Sequence, residues 1–181
     1  MGSRLFVGTH PWHLADFDES SLVGMLEADA SLGVGEIGLD RLRERSISGE
    51  MRRVFMRQLT IAAYFRRPVV LHGAKCWGEV VEAAKPFKGQ IPAFLFHGFS
   101  RSDGLLKDII ELGGCISVGA AILNDHAENY RAFVAKVPPE RILPETDNEP
   151  GKRNDIDAIA AKISELYGIT SAQLEENIGR F

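Results

Sequence analysis

Four side chains able to hold a metal or move a proton accompany short apolar runs in this chain: Glu36 in "GVGEIG", His72 in "PVVLH", His97 in "PAFLFH" and Asp147 in "RILPETD". A fifth run, "RLFVGTH", finishes on His10. Oxygen and imidazole donors suit Zn²⁺, Mn²⁺ or Mg²⁺ better than a soft-metal site. An ion of that kind lowers the pKa of a bound water and neutralises charge developing on a phosphoryl oxygen. Singly, each residue has a plainer explanation. A histidine at a strand end is more often a hydrogen-bonded structural residue, and an aspartate after a strand is more often a helix cap. Recurrence on several strands is what argues for chemistry.

Successive members of the set lie 25 to 50 residues apart, so only a sheet or barrel brings them together. Parallel α/β folds do this, because functional groups collect at the carboxyl ends of their strands. The chain reads as such an alternation. Strands are expected at 4–9, 33–39, 68–72, 92–97, 115–119 and 141–146. Between them, "EMRRVFMRQLTIAAYF" places Met51, Val54, Phe55, Leu59, Ala62 and Ala63 largely on one helical face. "SSLVGMLEADA" and "SDGLLKDIIELG" show similar spacing, and Thr170 to Gln173 has the T-x-x-Q form of a capping box. Strands separated by helices imply βαβ units and a mostly parallel sheet. The expectation is one α/β domain over residues 1–181.

"GVGEIG" also spells the glycine fingerprint of a dinucleotide loop. That fingerprint needs a strand before the glycines and a helix opening within them. Here the preceding residues are helical in pattern, so the glycines are expected to let a strand pack closely while it carries Glu36 to its end.

Composition narrows the class. The 181 residues are 45% hydrophobic and 25% charged, as in ordinary globular proteins, and the formal net charge of −4 argues against a broad basic nucleic-acid surface. It leaves room for a phosphate-bearing substrate where a bound metal supplies local positive charge. Cys76 and Cys115 form no CxxC spacing and suggest a reducing, cytoplasmic setting. No apolar run reaches the roughly 18 to 20 residues that span a bilayer.

Motifs over almost the whole chain resemble the TatD family of metal-dependent hydrolases. They are "VGTHPWHL", "GVGEIGLD", "FMRQLTIA", "RPVVLHGA", "FLFHGFS", "ISVGA", "RILPETDNEP" and "EENIGRF", in the family's order. The resemblance implies a TIM-type (β/α) barrel with one or two divalent metals at its carboxyl face, hydrolysing phosphodiester bonds of DNA. It implies that Glu36, His72, His97 and Asp147 are metal ligands, with Asp147 also orienting the attacking water. It places His10, in the G-x-H-P motif, near the substrate.

Departures from the family pattern qualify this. The family opens with an H-x-H pair, and the chain contains none. By alignment it begins at the family's third strand, which predicts an incomplete barrel of about six parallel strands. Where the family often has an arginine after the "LH" strand, "HGAKCW" offers Lys75, which holds a phosphate only as a point charge. Unpaired edges in such a barrel favour a homodimer. Two other functions stay open: a non-catalytic barrel remnant with a binding or assembly role, and an amide or lactone hydrolase of the wider superfamily.

Overall fold

A computed structural model of the chain describes residues 4–43, 45–100, 103–146 and 155–181. Asp147, expected at the site, lies outside the described residues. Six strands are present: β1 (Phe6–Val7), β2 (Gly33–Asp40), β3 (Val69–Ala74), β4 (Phe94–Phe96), β5 (Cys115–Val118) and β6 (Ile142–Pro144). All neighbours are parallel, and the order across the sheet is the order along the chain. That strictly sequential order is the arrangement of a (β/α) barrel. Among the described residues β1 and β6 do not pair, so the sheet is open along one side.

The helices are α1 (Glu19–Ala28), α2 (Gly49–Tyr64), α3 (Trp77–Ala84), α4 (Asp103–Glu111), α5 (Glu128–Val134), α6 (Ile156–Tyr167) and α7 (Ser171–Ile178). Several of them, including α1, α2 and α7, start at side-chain oxygens that accept otherwise orphaned N–H groups. Asp18 accepts from the amides of Ser20 and Ser21, Ser48 from Met51, and Thr170 from Gln173. The Gln173 side chain reaches forward to Asn177, so only half of the expected capping box forms. No helix among the described residues is long and apolar enough to cross a membrane.

The strand β2 organises the interior. It is buried along nearly its whole length, as expected of a parallel strand covered on both faces. The apolar side of α2, with Met51, Val54, Phe55, Leu59 and Ala62, belongs to the buried interior beside it. "GVGEIG" is thus strand throughout, and no helix opens within it. A Cβ on Gly35 would stand 2.8 Å from Val70 Cβ. One on Gly38, at φ +157°, would stand 1.9 Å from the carbonyl oxygen of His72. These glycines let β2 and β3 approach, and that approach brings Glu36 to His72. The Gly35–Glu36 peptide is cis, and the register against β3 shifts between Val34 and Ile37.

Candidate metal centre

Glu36 is the fourth of eight residues in β2, not its last, and His72 is likewise inside β3. His97 follows β4 directly, and His10 lies three residues beyond β1. The sheet brings all four together. Nδ1 of His72 lies 3.0 Å from Oε1 of Glu36, and Nε2 of His97 lies 3.9 Å from the same oxygen. His10, Glu36 and His72 each place a donor atom within 4.8 Å of the others, a spacing one ion could bridge. The rings of His10 and His72 meet edge to face at 4.5 Å. Lys75 is exposed in the turn after β3, at φ +56°. Among the described residues it shares no hydrogen bond or ion pair with the cluster.

Two carboxylates that sequence reasoning passed over stand behind the histidines. Asp40, the last residue of β2, has no exposed surface. Its Oδ2 lies 2.9 Å from His72 Nε2 and accepts from the indole Nε1–H of Trp12 at 2.8 Å. Its Oδ1 accepts from the amides of Leu42 and Arg43 at 2.5 and 3.2 Å. Glu145, just past β6, puts Oε2 at 2.5 Å from His97 Nδ1. That contact is at ion-pair distance but off hydrogen-bond alignment. Among the described residues the buried oxygen finds no aligned donor.

The two histidines are therefore built alike: one nitrogen faces Glu36 and the other faces a carboxylate. A neutral imidazole carries a single N–H. With both His72 nitrogens against carboxylate oxygens, one contact sets lone pair against lone pair unless the ring is protonated on both nitrogens or a metal ion takes the place of one proton. This donor chemistry fits a divalent metal at Glu36.

The same contacts set the electrostatics. Burial raises the Glu36 carboxyl, but the hydrogen bond from His72 and the neighbouring charges of His97, His72 and His10 outweigh it, and its pKa is lowered. Burial likewise works against ionised Asp40, yet the bonds from His72, Trp12 and the two backbone amides hold it below the usual range. Burial lowers His72 while Glu36 and Asp40 raise it, with a net rise. His10 drops to about 4, chiefly through burial and then the proximity of His72. Its ring is neutral near pH 7. Because its Nδ1 accepts the Trp12 amide at 3.1 Å, the proton sits on Nε2. In that tautomer His10 is a hydrogen-bond donor, which suits contact with an anionic substrate better than ligation.

Surroundings fix these parts in place. Gln58, fully buried on α2, accepts from the Thr9 amide at 2.6 Å and donates to the Thr9 carbonyl at 3.0 Å, tethering the segment that leads to His10. Trp12 stays 45% exposed, with the Arg43 guanidinium 4.6 Å from its ring centre. Trp77 instead packs against Phe96 and Phe99 in the interior. A depression of about 1300 Å³ begins at Glu145 and Gly98 and continues past Gly119, Asn124 and Tyr130. Its walls include neither Glu36 nor the three histidines.

The profile of the TatD related DNase family matches residues 2–179. The chain belongs to this family. It is 25% identical to the uncharacterized metal-dependent hydrolase YabD of Bacillus subtilis, over 93% of this chain and 71% of that protein. It is 30% identical to the 3'-5' ssDNA/RNA exonuclease TatD of Edwardsiella piscicida, over 77% of this chain and 55% of that enzyme. The chain thus matches little more than half the length of that TatD exonuclease. The crystal structure of YJJV, a TatD homolog from Escherichia coli, superposes with a TM-score of 0.81 at 25% identity, covering 98% of this chain and 75% of that one.

Proposed function

We propose that this TatD-family chain is a divalent-metal-dependent hydrolase of phosphodiester bonds, with DNA as substrate. The observation that carries the reading is the convergence of His72 and His97 on the single carboxylate of Glu36, each with a carboxylate behind it. In this reading Glu36, His72 and His97 hold a Zn²⁺, Mn²⁺ or Mg²⁺ ion, and Asp147 completes the site and orients the attacking water. Such an ion, when bound, activates water and offsets charge on the phosphoryl group. The neutral His10 ring donates its Nε2–H toward a phosphate oxygen, and Lys75 offers a point charge to the strand's backbone. The ssDNA/RNA exonuclease named among the relatives favours a single strand as the form bound. The unpaired edges of β1 and β6 favour a homodimer, for which sedimentation at a single-chain mass would be the contrary result.

A second reading is a non-catalytic barrel with a binding or assembly role, favoured by the unpaired edges that β1 and β6 present among the described residues. Elemental analysis after purification without chelators or an affinity tag, followed by hydrolysis of an end-labelled single strand, separates the two. One ion or more per chain with cleavage that His72→Ala abolishes supports the hydrolase. Bound metal without cleavage supports the second reading. Protein that stays empty when zinc or manganese is offered removes the hydrolase and supports the second reading.

A further inference from the structure

We infer that Asp40 is the positioning residue of this centre: it fixes His72 in the tautomer that leaves Nδ1 open toward Glu36. The inference rests on the metal-site reading only for its functional consequence, since the tautomer itself belongs to the metal-free protein. An ionised carboxylate accepts and never donates. Glu36 makes the same demand of Nδ1, but its side chain is 30% exposed to water while that of Asp40 is fully buried, so the single proton of the neutral ring goes to Nε2, 2.9 Å from Asp40 Oδ2. The same oxygen accepts the Trp12 indole, and Oδ1 accepts two backbone amides, so the carboxylate is fixed from three directions. In the neutral ring, with the proton held on Nε2, the lone pair of Nδ1 points into the 3.0 Å gap to Glu36 Oε1. Carboxylates that hold a metal-binding histidine from behind act in this manner, fixing the tautomer and ring orientation and raising basicity.

Asp40→Asn reverses the instruction at nearly constant shape. A carboxamide placing its oxygen on the Leu42 and Arg43 amides turns its NH₂ toward Trp12 and His72. The opposite rotamer sets NH₂ against two backbone N–H groups, whereas this one opposes only the indole, because the imidazole adapts by shifting its proton to Nδ1. Nδ1 is then closed to a ligand role.

The test is long-range ¹H–¹⁵N correlation of the histidine rings in metal-free protein at alkaline pH, with His72 assigned by its loss in His72→Ala. Zinc titration by calorimetry accompanies it. The wild type is expected to show Nε2–H at His72. Asp40→Asn is expected to show Nδ1–H and to bind zinc about 10- to 100-fold more weakly. An Nδ1–H ring in the wild type, or zinc affinity in Asp40→Asn within about threefold of wild type, would overturn the inference. If the wild type binds no zinc, the metal reading fails while the ring spectra still decide the role of Asp40. If Asp40→Asn does not fold, the wild-type tautomer decides it alone.

Discussion

The two histidines around Glu36 share a plan and differ in construction. His72 lies within β3, paired to Gly38 of β2, and its outer nitrogen meets an Asp40 carboxylate on which three further donors converge. His97 sits at the end of three-residue β4, and its outer nitrogen meets Glu145, whose buried Oε2 is close but without an aligned donor among the described residues. Strand length explains much of this. The strands β2 and β3 have eight and six residues, with Gly38 paired to His72 and Asp40 to Ala74. The strands β4, β5 and β6 have three, four and three. Longer ladders fix more backbone, and two neighbouring long strands can hold a ligand and its supporting carboxylate in one rigid frame. The half around His72 is preassembled, while the half around His97 keeps a polar group short of full satisfaction, a condition frequent at functional sites.

The strongest way to break this comparison is to remove what the halves share. Glu36→Gln replaces the one carboxylate that faces both rings. Metal content is expected to fall to background in elemental analysis, with the helical circular dichroism spectrum retained. Retention of a full equivalent would mean that the halves bind independently of Glu36.

A sharper probe compares the supporting carboxylates in metal-free protein. Asp40→Ala strands the indole N–H, the imidazole and two backbone amides, and is expected to destabilise the fold by about 1–3 kcal/mol. Glu145→Gln removes a mostly buried charge that lacks an aligned donor, and is expected to cost less than about 1 kcal/mol or to stabilise slightly. Urea denaturation of the two variants reads the difference. Equal losses would show that the His97 half is as firmly built as the other.

Much of this arrangement could be read from the chain, for identifiable reasons. Four of the six strands fall within the expected segments, and β2 and β3 overlap theirs and run on to Asp40 and Ala74, because each is a short apolar run bounded by turn residues, and the helices between them fix a parallel order. Glu36, His72 and His97 stood out as polar groups in or after such runs. Asp40 did not, because the strand was expected to end at residue 39. The structure carries β2 one residue further and turns that aspartate inward against Trp12. An acid closing a run that is otherwise apolar was the available signal. Glu145 was overshadowed by Asp147 two positions on, since a strand of only three residues gives no periodicity to say which acid faces inward. Glu36 proved interior to β2 because close packing through Gly35 and Gly38 continues the strand beyond it. The tautomers of His10 and His72 depend on contacts from Trp12 and Asp40, which spacing along a chain does not encode.

The finest distinction lies within the His72 half itself, between what the indole and the imidazole each require of Asp40. Trp12→Phe deletes one donor to Oδ2 and leaves the carboxylate its bonds from His72, Leu42 and Arg43. The ring remains beneath the Arg43 guanidinium, although phenyl is a poorer cation–π partner than indole. The expected loss is about 1 kcal/mol or less, with zinc affinity changed by less than about threefold, because an exposed side chain gives up a single hydrogen bond. Thermal melts and zinc titration check both figures. If Trp12→Phe instead weakened zinc as much as Asp40→Asn, the carboxylate would be held in place by the indole. The His72 half would then depend on an exposed tryptophan rather than on its two long strands, and the contrast with the His97 half would no longer be one of strand length.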